Sequence, residues 1–272
     1  MNELKHLLFL TRIDGLGAVR IKRLIDRFGN ASGVFNASIN EISEIENISV
    51  KTAQLILNTY ESIDEFDSTF EAYIEKAEEH DITILALSDS RYPDLLKRIY
   101  DPPVLLYMRG KYDPALIVNS VGIVGTRKPT DYGKKMAEKF AEELSTAGIA
   151  VISGFARGVD TIAHKAVLKN RNSSAITAAV FGCGVDMIYP PENKALYDEM
   201  CERGLLISEY EISAFPDAVN FPKRNRIISG LSLGTIVIES DVDGGALITA
   251  RTALDQSREV FAVPGYVTSK VS

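Results

Sequence analysis

The sequence predicts an α/β protein: a predominantly parallel sheet with helices on both faces, preceded by a small all-helical domain. Three observations predict it. Short apolar runs at 121–124, 149–152, 175–181, 205–208, 235–239 and 260–263 alternate with helical periodicity, the pattern of a sheet buried on both faces. Three of these runs end in glycine-bearing turns: Gly125-Thr126-Arg127, Ser153-Gly154-Phe155-Ala156-Arg157-Gly158 and Gly182-Cys183-Gly184. Residues 1–62, by contrast, carry helical spacing alone, so the boundary falls between 1–62 and 63–272.

Taken in order, Leu4, Leu7, Leu8 and Phe9 form the apolar face of a first helix, and Val19, Leu24, Ile25 and Phe28 that of a second. The intervening Ile13-Asp14-Gly15-Leu16-Gly17 reads as a helix-hairpin-helix-like turn, whose amides can hold a backbone phosphate, or as a plain tight turn between two helices. Arg12, Arg20, Lys22, Arg23 and Arg27 surround it. Isoleucines at 39, 42, 45 and 48 and the run 53–57 give further short helices. The acidic stretch 61–81 predicts a helix at 64–79 with a solvated face. Strands follow at 82–87 and 104–108, extending or flanking the central sheet. Beyond them, helices are expected at 132–147, 160–168, 193–201, 224–231 and 245–256.

Composition narrows the function. The 272 residues carry a formal net charge of -7, so any attraction to nucleic acid must come from local charge. Cys183 and Cys201 are too few for a disulfide scaffold and lack ligand spacing with the histidines, so neither a structural metal nor a cofactor is expected. The start has no signal-peptide or membrane-span pattern, which makes the cytoplasm the expected compartment. Gly125-Thr126-Arg127 lacks the dinucleotide triplet, and no phosphate-binding loop with a following Lys-Ser/Thr is present. No nucleophile, base and orienting group assemble in the sequence, so the chain reads as a binding protein rather than an enzyme.

Anion binding without evident chemistry remains. Gly125, Thr126 and the strand-end Arg127 can clamp a phosphate, unless Arg127 pairs with Asp131. Ser153 and Gly154 offer donors, with Arg157 and Asp160 bracing their loop. In Phe221-Pro222-Lys223-Arg224-Asn225-Arg226, the two arginines stand two apart and cannot share a helical face; one faces the ligand while the other braces a neighbouring loop. Phe221 or Tyr189 can stack on an unpaired base or lie buried under a loop. Lys194 and the Gly244-Gly245 turn are placed at the same edge, so that several turns and cations converge on an extended polyanion. His164 reads as a packed residue rather than a base.

These motifs, together with Phe181-Gly182-Cys183-Gly184-Val185-Asp186, Tyr189-Pro190, Ser208-Glu209-Tyr210, residues 227–232, 246–250 and 258–265, resemble the DNA-processing protein A family (DprA, also Smf). The resemblance spans about residues 80–265, in the family's order. It implies an extended Rossmann-like domain that binds single-stranded DNA, protects it and helps load the RecA recombinase during natural transformation. It also implies a homodimer. On the matching positions, Arg127 and Lys194 resemble phosphate ligands, and Arg224, Asn225 and Arg226 pocket residues; Phe155 belongs to the second glycine turn and Lys223 to the basic stretch. The family usually continues past the last Pro-Gly, whereas here only residues 266–272 follow Gly265. The competing expectation is a nucleotide- or ribosyl-bond-hydrolysing enzyme using Glu209, Asp186 or Glu239 as base, and a third is a protein-binding scaffold.

Overall fold

A computed structural model describes residues 2–61, 63–171 and 173–265. The bundle comprises α1 (Asn2–Thr11), α2 (Ala18–Phe28), α3 (Ala31–Phe35), α4 (Ile39–Ser43) and α5 (Val50–Tyr60), followed by the acidic α6 (Ile63–Glu79). Local sequence sets the starts of the short helices: Asn30, Ser38 and Ser49 each accept a hydrogen bond from a first-turn amide, and Ser38 with Glu41 completes a capping box. Along α6, Phe70 and Ala77 are buried, while Glu65, Glu71, Glu75, Glu78 and Glu79 face solvent as expected.

The sheet elements are β1 (Ile82–Ala86), α7 (Asp94–Lys97), β2 (Leu105–Gly110), β3 (Ser120–Val124), α8 (Asp131–Thr146), β4 (Ala150–Ser153), α9 (Val159–Lys169) and β5 (Thr177–Phe181). They continue with α10 (Lys194–Arg203), β6 (Leu205–Ser208), α11 (Asn220–Leu231), β7 (Gly234–Val237), α12 (Gly245–Asp255) and β8 (Glu259–Ala262). The eight strands lie in the order β1-β2-β6-β5-β4-β3-β7-β8. From β6 to β8 every pairing is parallel; β2 is antiparallel to both β6 and β1, so the early strands extend the sheet as a mixed edge.

Strand periodicity separates the two helical layers. Ile123, Val151 and Ile236 pack with Ala137 of α8 and Ala163 of α9, whereas their neighbours Val124, Ile152 and Val237 belong to the cluster that holds Ile227, Ile228 and Ala250 of α11 and α12. That second cluster runs unbroken into the N-terminal bundle through residues such as Leu7, Leu24 and Phe70. Polar ties reinforce the contact: Arg12 donates twice to Glu211, at 3.1 and 2.7 Å, and Tyr73 Oη accepts from the Ile212 amide.

Two expectations need correction. Helix α11 starts at Asn220, not Arg224, because Pro222 sits within the first turn, where its missing N–H has no intrahelical partner to lose. Strand β8 is not buried on both faces: among the described residues it is the sheet's edge, pairs only with β7, and leaves Phe261 54% exposed. Among the described residues, no helix is long and apolar enough to cross a membrane.

Candidate functional site

Strand order makes the site. The chain leaves β3 toward β4 on one side, while β7 lies on the other side and leads on to β8, so the crossovers diverge between β3 and β7. In open α/β sheets such a divergence leaves a crevice beyond the carboxyl ends of the strands. Here that crevice is a cleft of about 740 Å³, formed by residues 124–128 after β3, 240–249 after β7, and Phe221, Pro222, Arg224, Asn225 and Ile228 of α11. A narrow slot lined by Phe155, Gly182, Tyr189, Phe221 and Arg224 adjoins it.

The cleft floor is a buried polar network. Arg224, 5% exposed, donates to the Val180 carbonyl, and its Nε finds no protein partner. Beside it Asp160, 7% exposed, accepts from the Ala156 amide at 3.2 Å. Burial pushes the Asp160 carboxyl up, opposed by the neighbouring Arg224 charge, and burial pushes the Arg224 guanidinium down, opposed by Asp160. Gly154 separates them: a Cβ there would stand 2.4 Å from Asp160 Oδ2 and 2.5 Å from Arg224 Nη1. His164 is fully enclosed, donates from Nε2 to the Gly154 carbonyl at 2.5 Å and has Nδ1 2.6 Å from the Thr177 hydroxyl, which also lies 3.0 Å from Val151 O. Burial lowers its pKa to about 4, so the ring is neutral and structural, as its sequence setting indicates.

The rim differs. Arg127 is exposed and makes no ion pair among the described residues; Asp131, its alternative partner, is bound to Lys134 at 2.9 Å. Gly244 and Gly245 open α12, and a Cβ at Gly245 would meet nothing within 4 Å. Tyr189, 38% exposed, lies with its ring 5.5 Å from that of Phe221, so the two rings expected to stack or be buried form one aromatic pair at the cleft edge. Thr126 is fixed there by its amide, which donates to Glu239 O at 2.7 Å.

Gly125, Thr126, Arg127, Phe221, Arg224, Asn225, Gly244 and Gly245 therefore share the cleft, and Phe155 lines the adjoining slot. Other members of the expected constellation lie beneath the cleft or away from it. The Ser153 side chain points into the sheet and donates to Ile123 O at 2.6 Å; Gly154 is filled around by Asp160 and Arg224. Lys194 projects from α10 and is held by Asp198 at 2.5 Å, an i,i+4 pair on one helical face. Arg226 donates to Asp101 at 2.8 Å and to both oxygens of Glu209, at 2.9 and 2.6 Å, on the opposite side of α11 from Arg224, and Lys223 accompanies it. One arginine facing the cleft and one bracing a loop matches the i,i+2 argument; a single rim gathering all the cations does not occur. Arg157 pairs with Glu192 rather than bracing its own loop alongside Asp160.

The three acids considered as bases are engaged. Glu209 holds Arg226, Asp186 accepts from the Ser213 amide and hydroxyl, and Glu239 accepts from the Thr130 amide and hydroxyl, tying β7 to the start of α8. Burial pushes the Cys183 thiol up to about 11, which removes it as a nucleophile at neutral pH.

Fold and site together define an α/β protein with a glycine- and arginine-bearing cleft at the divergence of its crossovers. Residues 83–272 match the DNA recombination-mediator protein A family, and the chain belongs to it. Residues 7–60 match a SAM-like helix-hairpin-helix tandem. Protein Smf of Synechocystis sp. is 35% identical over 266 residues, which cover 97% of this chain and 65% of that protein. DNA processing protein DprA of Bacillus subtilis is 43% identical over 187 residues, covering 69% and 62% respectively. The chain thus spans less than two thirds of the length of either relative. The X-ray structure of DprA from Streptococcus pneumoniae superposes with a TM-score of 0.83 at 32% identity, covering 98% of this chain and 89% of that one. The Helicobacter pylori protein, solved for its single-stranded DNA binding mode, gives 0.62 at 32% identity over 70% and 84%.

Proposed function

We propose that the chain binds single-stranded DNA along the β3–β7 cleft, with phosphates at Arg127 and the uncrowded Gly245 amide and an unpaired base against Tyr189 and Phe221. The observation that carries this reading is the exposed Arg127, in no ion pair among the described residues, in the same cleft as Gly245 at the start of α12, whose Cβ position is open. An open cleft of about 740 Å³ has room for more than one phosphate, and the single-stranded DNA named for the Helicobacter pylori relative supports the choice of polymer. The sheet is read as extended Rossmann-like, in two units at 1–62 and 63–272. Protection of the strand, loading of RecA, homodimer formation and a cytoplasmic setting complete the proposal, and they rest on family membership.

A hydrolytic role finds less support, because Glu209, Asp186 and Glu239 each already hold a protein donor. The test is titration of a labelled oligothymidylate at several salt concentrations. Arg127→Gln is expected to weaken binding about tenfold and to flatten the slope of log affinity against log salt by about 0.7, one phosphate contact on a single strand. Unchanged affinity and slope would overturn the role given to this side chain.

A further inference from the structure

Behind the first turn of α11 lies a second cleft, of about 1150 Å³. One wall is the N-terminal hairpin, with Gly15, Gly17 and Arg20; the other carries Arg98, Tyr100, Lys223 and Arg226. Pro222 lines both clefts, so the two meet along one ridge. We infer that a single polynucleotide strand lying in the β3–β7 cleft continues over Pro222 into this second cleft, held there by Arg20, Arg98 and Lys223 with Tyr100 against a base. The inference rests on the reading of the first cleft as a strand-binding groove.

Charge selects the occupant. The lining carries Arg20, Arg98, Lys223 and Arg226 against Asp101, Glu209 and Asp255, an excess of one cation; Arg226 is held by Asp101 and Glu209, while Arg20, Arg98 and Lys223 stand in no ion pair among the described residues. A local cationic excess in a chain of net charge -7 favours a polyanion at this place. Tyr100 is 75% exposed on the same wall, and an exposed ring among cations is the arrangement that stacks an unpaired base. A duplex offers no free base face to such a ring, whereas a strand arriving from the first cleft does.

The hairpin adds donors. Gly15 adopts a φ of +77°, and its carbonyl accepts from Arg20 Nη1 at 2.5 Å, which holds that guanidinium at the turn. Gly17 caps α2 at an ordinary φ of -77°, and a Cβ there would meet nothing within 4 Å. Neither backbone strain nor packing asks for glycine at 17. Its bareness leaves the opening amides of α2 accessible from the cleft, as Gly245 does for α12 in the first cleft.

The test is affinity as a function of oligothymidylate length, from about 4 to about 20 nucleotides, a span that brackets single-strand site sizes. Wild type is expected to gain affinity once the strand is long enough to cross Pro222. The double variant Arg20→Glu/Arg98→Glu should bind short strands normally, lose at least about tenfold on the longest, and lose about 1.4 from the salt slope, at about 0.7 per phosphate. Tyr100→Ala, a surface truncation that leaves Arg20 and Arg98 in place, should weaken only the long strands, by about fivefold or more, with the slope kept. Length dependence identical to wild type in both variants would overturn the second cleft alone. No short-strand binding by wild type would overturn the first cleft and this extension with it. A gain for duplex DNA that exceeds the gain for single strands, and that the double variant abolishes, would overturn the assignment to a single strand.

Discussion

The floor and the rim of the β3–β7 cleft use the same residue types to opposite ends. Arg224 on the floor is buried against Asp160, and Gly154 is glycine because those two side chains fill its Cβ position. Arg127 on the rim is exposed and in no ion pair among the described residues, and Gly245 is glycine with empty space at its Cβ position. On the floor, charge and bareness are demanded by the fold. On the rim the fold demands neither, so they are available to a ligand. An arginine or glycine in a glycine-rich motif therefore has no fixed meaning until its surroundings are known.

The sharpest way to break this contrast is at Arg224. Arg224→Met removes the charge that chiefly offsets the burial of Asp160, and stranding a buried polar group in this way costs about 1–3 kcal/mol. Urea unfolding should show that loss, and adding Asp160→Asn should recover much of it, because the stranded charge is then gone. An Arg224→Met protein as stable as wild type would place Arg224 with the rim.

A pH titration probes the same floor through His164. Its folded pKa is depressed from 6.5 to about 4, so the stabilisation is fully present above pH 6.5 and is lost as the pH falls toward 4. A depression of that size corresponds to about 3 kcal/mol. Unfolding midpoints measured between these pH values should fall steeply for wild type. His164→Gln, which cannot take up that proton, should be less stable at neutral pH and nearly flat across the window.

How much of this was legible follows from which interactions are local. The strands from β3 to β7 announce themselves by short apolar runs, and their glycine ends mark the carboxyl edge; Arg127 could be picked out because it follows a strand directly. The opposite facing of Arg224 and Arg226 follows from helical geometry alone, although which of them faces the cleft does not. Lys194 carried a local warning, Asp198 four residues on, that outweighs its place after a glycine turn. Ser153 turns inward by strand alternation, which the turn motif conceals. Arg98 and Tyr100 gave no signal, because their position depends on α7 packing against α11, where Leu96 and Ile99 close over Gly230. That contact joins segments far apart in sequence, and no local period encodes it.

The smallest expected change in stability is the most discriminating. Gly245 begins α12 with no atom near its Cβ position, so Gly245→Ala adds a methyl to open space and supplies a better helix former, worth up to about 1 kcal/mol in favour of the fold. The same methyl stands over the amide proposed to hold a phosphate. Stability should be unchanged or slightly higher while oligothymidylate affinity falls, a combination that a purely structural glycine cannot produce. Gly154→Ala should do the reverse of the first half and unfold the protein more easily, since its methyl collides with Asp160 and Arg224. If Gly245→Ala binds as tightly as wild type, the strand does not approach α12, and the rim contracts to Arg127 and the turn after β3.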